Sequence, residues 1–180
     1  MTDFGRRTVC PECPECPECP EVVPNMLPKT GVTVEQHPGD DGYYQAGWEG
    51  ERFVNNGDGT ITDNATSLMW PEDATDPLLD MSERAWADQI DHIEALEFAG
   101  HSDWRMPNPY EYMSLTDVSA PDIPRINKIF LNVLDGSWWT STPFFAPGGE
   151  IYCYMFYDEW VWLTAAGRHL EHESLCVRSI

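Results

Sequence analysis

Glu150-Ile151-Tyr152-Cys153-Tyr154-Met155-Phe156-Tyr157, then Asp158-Glu159, then Trp160-Val161-Trp162-Leu163-Thr164, is the stretch that decides the fold. Two runs of aromatic and β-branched residues separated by an acidic pair read as a hairpin turning at Asp158-Glu159. Strand side chains alternate between faces. Tyr152, Tyr154 and Phe156 therefore share one face, read as the core side. Cys153, Met155 and Tyr157 share the other, and Trp160 and Trp162 follow in the partner strand. Aromatic residues on both faces mean that the second face is covered as well. The cover is either internal, from Tyr43, Tyr44 and Trp48, or external. In the external case Met155, Tyr157, Trp160, Trp162 and Trp138 form a platform for a second subunit or a ligand, since Trp, Tyr and Met are enriched where proteins meet.

Working outward, Trp138 to Thr142 reads as a further strand, and Ser174 to Ile180 as the one that closes the sheet. Upstream, Ser82 to Phe98 has helical spacing in Trp86, Ile90 and Ile93 and in Ala87 and Leu96, with Ser82 as cap and Gly100 as terminator. His92 lies in this helix as a surface or packed residue. A second helix is expected from Pro109 to Thr116, with Asn108 as cap and Pro109 at its first position. A third is expected from Ile123 to Leu134. Arg52 to Asp63 reads as a hairpin whose Asp58-Gly59 turn supplies positive φ, rather than as a calcium loop, because the EF-hand pattern is not met. Strands clustered after helices give an α+β domain with a mainly antiparallel sheet. Residues 51–180 form this domain, residues 26–50 an extended lead-in over it, and residues 1–25 a tail.

The tail repeats Cys-Pro-Glu four times from Cys10 to Glu21. Proline at every third position disfavours helix and removes donors a sheet needs. The remaining conformation is polyproline II, whose threefold period puts Cys10, Cys13, Cys16 and Cys19 on one edge. Successive cysteines then sit about 9 Å apart along the axis, from the ~3.1 Å rise per residue. A disulfide needs Cα atoms within roughly 4.4–6.8 Å, so neighbouring thiols of one rod cannot pair, and a single tetrahedral zinc site is equally out of reach. The natural partner of each thiol is a thiol on another chain, which makes the segment a cross-linking stalk. It is not collagen, which needs glycine at every third residue. Other readings stand beside this one: an iron–sulfur or zinc site if the segment bends, metal held between stacked chains, or a low-complexity tail without specific function.

The 180 residues carry a formal net charge of −21, which argues against nucleic acid, polyanions and anionic membranes as partners. No stretch approaches the ~20 apolar residues of a membrane span, and no signal peptide is visible from Met1 to Val9. Cross-linkable cysteines nevertheless suggest an oxidising, extracellular or cell-surface setting.

Several motifs together carry a resemblance. They are Leu27-Pro28-Lys29-Thr30-Gly31 with Gly39-Asp40-Asp41-Gly42 and Gln45-Ala46-Gly47; Arg52-Phe53 through Asn56-Gly57-Asp58-Gly59-Thr60 to Asp63-Asn64-Ala65-Thr66 and Leu68-Met69-Trp70; Trp86; Ala99-Gly100-His101-Ser102-Asp103-Trp104-Arg105-Met106-Pro107-Asn108; Trp139-Thr140-Ser141-Thr142; and Cys176-Val177-Arg178. Over residues 27–180 the chain resembles the Lcl C-terminal domain family, named from a collagen-like bacterial adhesin. The resemblance implies a C-type-lectin-like fold on exported or surface proteins, often on a stalk and often oligomeric, and binding or adhesion rather than chemistry. Many members pair a helix cysteine with the last-strand cysteine. Here Ile93 stands at that helix position, which leaves Cys176 to pair with Cys153, to stay free, or to bond another chain. The calcium-dependent sugar site of true C-type lectins is not evident at Met106-Pro107-Asn108.

No nucleophile elbow or H-E-x-x-H is present, so no catalytic residue is expected. His169-Leu170-Glu171-His172-Glu173 reads as a solvated loop, with weak metal binding as the alternative. The leading expectation is an extracellular structural or adhesive protein that self-assembles into a homo-oligomer or fibre, without a cofactor. The alternatives are a lectin-like tip that binds a glycan or a surface protein, and a thiolate metal or redox protein.

Overall fold

The computed structural model describes residues 27–120, 125–133, 137–145, 151–157 and 162–180; the side chains of residues 145, 151–157 and 162–165 are outside the description. The fold is α+β, with few helices and antiparallel strand pairing throughout its sheets.

The helices are α1 (Asp41–Tyr44), α2 (Trp86–Glu94) and α3 (Pro109–Leu115). The strands are β1 (Phe53–Asn55), β2 (Thr60–Asp63), β3 (Leu68–Pro71), β4 (Arg84–Ala85), β5 (Ser137–Phe145), β6 (Ile151–Tyr157), β7 (Trp162–Gly167), β8 (Glu171–His172) and β9 (Arg178–Ser179). They form three sheets rather than one, in the orders β1-β2-β3-β9, β4-β8 and β5-β6-β7. The expected closing strand therefore pairs with β3, at the opposite end of the chain from the aromatic hairpin. That hairpin is present, with Tyr157 across from Trp162 and Tyr152 across from Gly167.

The first hairpin forms as read, with Phe53 across from Asp63. Positive φ falls on Gly57 and Gly59, while Asp58 accepts from the Thr60 backbone and hydroxyl. Its side chain is thus used in the turn.

Helix α2 is shorter at both ends than its apolar spacing suggests. Ser82 is not its cap: the Ser82 hydroxyl donates to Asp80. Arg84 and Ala85 are drawn into β4 instead, opposite His172 and Glu171. At the far end, Phe98 and His101 exchange backbone hydrogen bonds across Ala99 and Gly100, both at positive φ. That tight turn takes Phe98 away from the helix. Helix α3 forms as expected and has a complete capping box. Asn108 accepts from the Tyr110 and Glu111 backbone, and Glu111 reaches back to the Asn108 N–H. The described residues 125–133 contain no helix; Ile126 bridges Thr116, and Leu131 bridges Asp73. Nor is the lead-in extended throughout, since Asp40 caps α1.

Two apolar clusters flank the start of β5. Trp139 packs with Ile93, Leu96, Phe98, Trp104, Met106, Ala166 and Cys176. Trp138, its neighbour on the opposite face, packs with Leu68, Trp70, Tyr112, Leu115, Ile126 and Val177. Both faces of this end of β5 are therefore covered from within, by elements around α2 and around α3. Tyr43 and Tyr44 take no part in these clusters, being 55% and 64% exposed, and the second face of the 151–167 hairpin, for which they and Trp48 are the expected internal cover, has side chains outside the description.

Candidate functional site

The segment Ala99–Asn108, which carries the most recognisable motif, ties several elements of the head together. The buried indole of Trp104 donates to the Phe98 carbonyl. Arg105 holds Glu111 with two hydrogen bonds of 2.8 and 2.5 Å, and its backbone bridges Val177. Pro107 accepts from the Ser141 N–H, and Asp103 pairs with Arg178 at 2.7 Å. These residues join α3, β5 and the last strand, and their roles are structural.

A cleft of about 420 Å³ lies between the 74–82 loop and Glu173-Ser174-Leu175, with Trp138 in its lining. The loop is held by its own acidic side chains. Asp73 accepts from Thr75 and Asn132, Asp76 from the Leu78 N–H, and Asp80 from Ser82 and Arg84. Leu79 anchors the loop in the core, and its carbonyl contacts His92 Nε2 at 2.8 Å. The opposite wall is fixed by the Trp139 N–H donating to the Glu173 carbonyl. It is also fixed by the buried Tyr112 hydroxyl, which contacts Ser174 Oγ at 3.0 Å and accepts from the Leu175 N–H at 2.8 Å.

The cleft is electronegative, with Asp76, Asp80 and Glu173 on its walls. The hydrogen bond from Ser82, and then Arg84, hold the Asp80 carboxyl below its ordinary range. Glu173 is pushed the other way, first by burial and then by the nearby Glu83 charge. Burial lowers the pKa of the adjacent His172. Such a surface suits hydrogen-bond donors and cations. A second groove of about 400 Å³ runs between the lead-in and the domain, walled by Lys29, Trp48 and Glu49 on one side and Arg52, Thr116 and Asp117 on the other.

The expected site residues fare differently. Cys10, Cys13, Cys16, Cys19 and Trp160 lie outside the described residues. Met155, Tyr157, Cys153 and Trp162 occupy β6 and β7, where Met155 registers with Trp139 and Thr164, and Cys153 with Pro143 and Ala166. Trp138 does not belong to an exposed platform. It is 2% exposed and stacks on Tyr112 with ring centroids 5.7 Å apart. Cys176 is a free, buried thiol, so no Cys153–Cys176 bond is formed in this structure. Burial raises its pKa. The 169–173 segment is solvated at His169 and Leu170, but His172 packs edge-on to Trp139 with centroids 4.8 Å apart and contacts Ser137 through Nδ1. No group of three metal-ligating side chains occurs among the described residues. Sequence reasoning did not find the cleft, because its walls come from an aperiodic loop and a segment about a hundred residues later; the only local signal is the Asp-rich run Asp73 to Asp80.

No curated protein shows significant similarity to the chain. The sequence profile of the Lcl C-terminal domain matches residues 59–178, from the first turn to β9. That match covers well over half of the 180 residues, and the chain belongs to the Lcl C-terminal domain family.

Proposed function

We propose that this is an extracellular or cell-surface protein of the structural or adhesive class, in which an Lcl C-terminal domain head is joined to a stalk that ties copies together through interchain disulfides. The observation that carries the reading is the uninterrupted Cys-Pro-Glu repeat from Cys10 to Glu21, placed ahead of the head. Its period spaces four thiols too far apart to pair within one extended rod. Adhesin-like surface proteins are the setting that the family suggests, and no described helix is long and apolar enough to cross a membrane. The proposed assembly uses no cofactor and performs no catalysis.

A ligand-binding tip is the second reading, favoured by the Trp138-lined cleft, whose walls mix hydroxyl and carboxylate groups. Joint replacement of Cys10, Cys13, Cys16 and Cys19 by Ser separates the two. Under the proposal, the substituted chain loses covalent multimers and surface retention together. Retention of full adhesion by that chain assigns function to the head alone. Metal found by elemental analysis at a fixed ratio to stalk thiols would favour a thiolate metal protein instead.

A further inference from the structure

We propose that the groove between the lead-in and the domain is a binding site for a neutral saccharide. It shares no lining residue with the Trp138-lined cleft. Its lead-in wall lies ahead of residues 59–178, which the family profile matches, so half of the site is this chain's own lead-in. Two side chains carry the inference. Trp48 Nε1 and Thr116 Oγ1 are both closed to bulk water, and neither has a hydrogen-bond partner among the described residues. Thr116 as a whole is 8% exposed. A buried donor or acceptor left without a partner is costly. Here two of them line one groove of about 400 Å³, one contributed by the lead-in and the other by the end of α3. That volume is within the range of small-molecule sites. A ligand reaches both groups by entering the seam between lead-in and domain, where the Val118 N–H donates to the Thr30 carbonyl at 2.9 Å.

The ligand class follows from which groups donate and which accept. An indole N–H and an ammonium only donate, carboxylates only accept, and a hydroxyl does both. The groove sets Trp48 and Lys29 with Glu49 and Asp117, and adds the Thr116 hydroxyl. Its cations are already paired: Lys29 lies 2.9 Å from Glu49, and Arg52 2.8 Å from Asp63. An anion would therefore meet Glu49 and Asp117, and would have to break an ion pair to reach a groove cation. A cation would meet Lys29 and the Trp48 donor. A polyol has no charge to repel and presents donors and acceptors side by side. It can satisfy Trp48 and Thr116 without disturbing either ion pair. Phe53 and Leu115 give the groove apolar surface for the C–H groups of a sugar ring.

The test uses the full chain in reductant, so stalk disulfides play no part. The probes are the methyl glycosides of glucose, galactose, mannose and N-acetylglucosamine. Binding is followed by the Trp48 indole N–H resonance, identified by its loss in Trp48→Phe, and by the rise in thermal midpoint. The expected result is saturable binding of at least one glycoside at about millimolar strength, with the Trp48 resonance shifted. Thr116→Val should weaken that binding by about tenfold. The same change removes a buried hydroxyl that has no partner, so the free variant should melt no lower than wild type, which separates lost binding from lost folding. Trp48→Phe keeps an aromatic ring without the donor and should weaken binding by a similar factor. Absence of binding by all four glycosides overturns the proposal. Binding that survives both substitutions undiminished also overturns it, by placing the sugar elsewhere on the head. So does tighter binding of a sugar sulfate or an amino sugar than of the neutral glycoside, which reverses the charge argument. None of these outcomes bears on the stalk, whose disulfides are read in the absence of reductant.

Discussion

Asp63 has no exposure to solvent, and Arg52 answers its charge through hydrogen bonds of 3.0 and 2.8 Å. The same guanidinium donates to the Ser114 carbonyl and lies 4.3 Å over the Phe53 ring. Arg52 thus ties the first hairpin to α3. Replacing it with methionine leaves a buried carboxylate unpaired, and we expect a loss of about 3–5 kcal/mol in urea unfolding. A loss below 1 kcal/mol would show that Asp63 finds another partner. Glu173 gives a pH-dependent case. Its folded pKa is raised, so the folded state binds the proton more tightly than the unfolded state, and stability falls as pH rises from the ordinary glutamate value of 4.5 through the folded value. Glu173→Gln should be more stable than wild type at neutral pH, and the two should converge below pH 4.5, as followed by thermal melts across pH. At this scale the sequence indicated which residues are apolar but not what covers them. The sequence reads Trp138 as part of an interface platform and Trp139 as a strand residue, and neither reading could reveal that two separate clusters bury both.

Among the elements, α3 was the most legible because its start is written locally: Asn108 caps, Pro109 opens and Glu111 closes the box. Asn108→Ala removes the acceptor of two N–H groups and should cost roughly 1 kcal/mol, and up to about 2, in the same unfolding assay. Asn108→Asp, which keeps an acceptor, should cost less. The ends of α2 were not legible, since the residues expected to extend it are claimed by a distant strand at one end and by a tight turn at the other. Arg84 and Ala85 pair with β8, and Phe98 with His101. The expected third helix failed for the same kind of reason. Ile126, Phe130 and Val133 repeat at helical spacing, but their apolar groups reach the core from turns and bridges. The aromatic hairpin was legible from its composition, whereas the division into three sheets was not, because strand order depends on contacts far apart in sequence.

For the whole molecule, the account joins a well-packed head of established family to a repeat whose spacing forbids pairing within one extended rod. The free thiol of Cys176 is buried in the head and is therefore protected from the exchange chemistry expected of the stalk. The strongest single test is the mass of natively purified protein under denaturing, non-reducing conditions, with thiols alkylated before unfolding. The account predicts a ladder of covalent multimers that collapses to a single monomer band on reduction. A single monomer band under both conditions, with all four stalk cysteines alkylated, would contradict it.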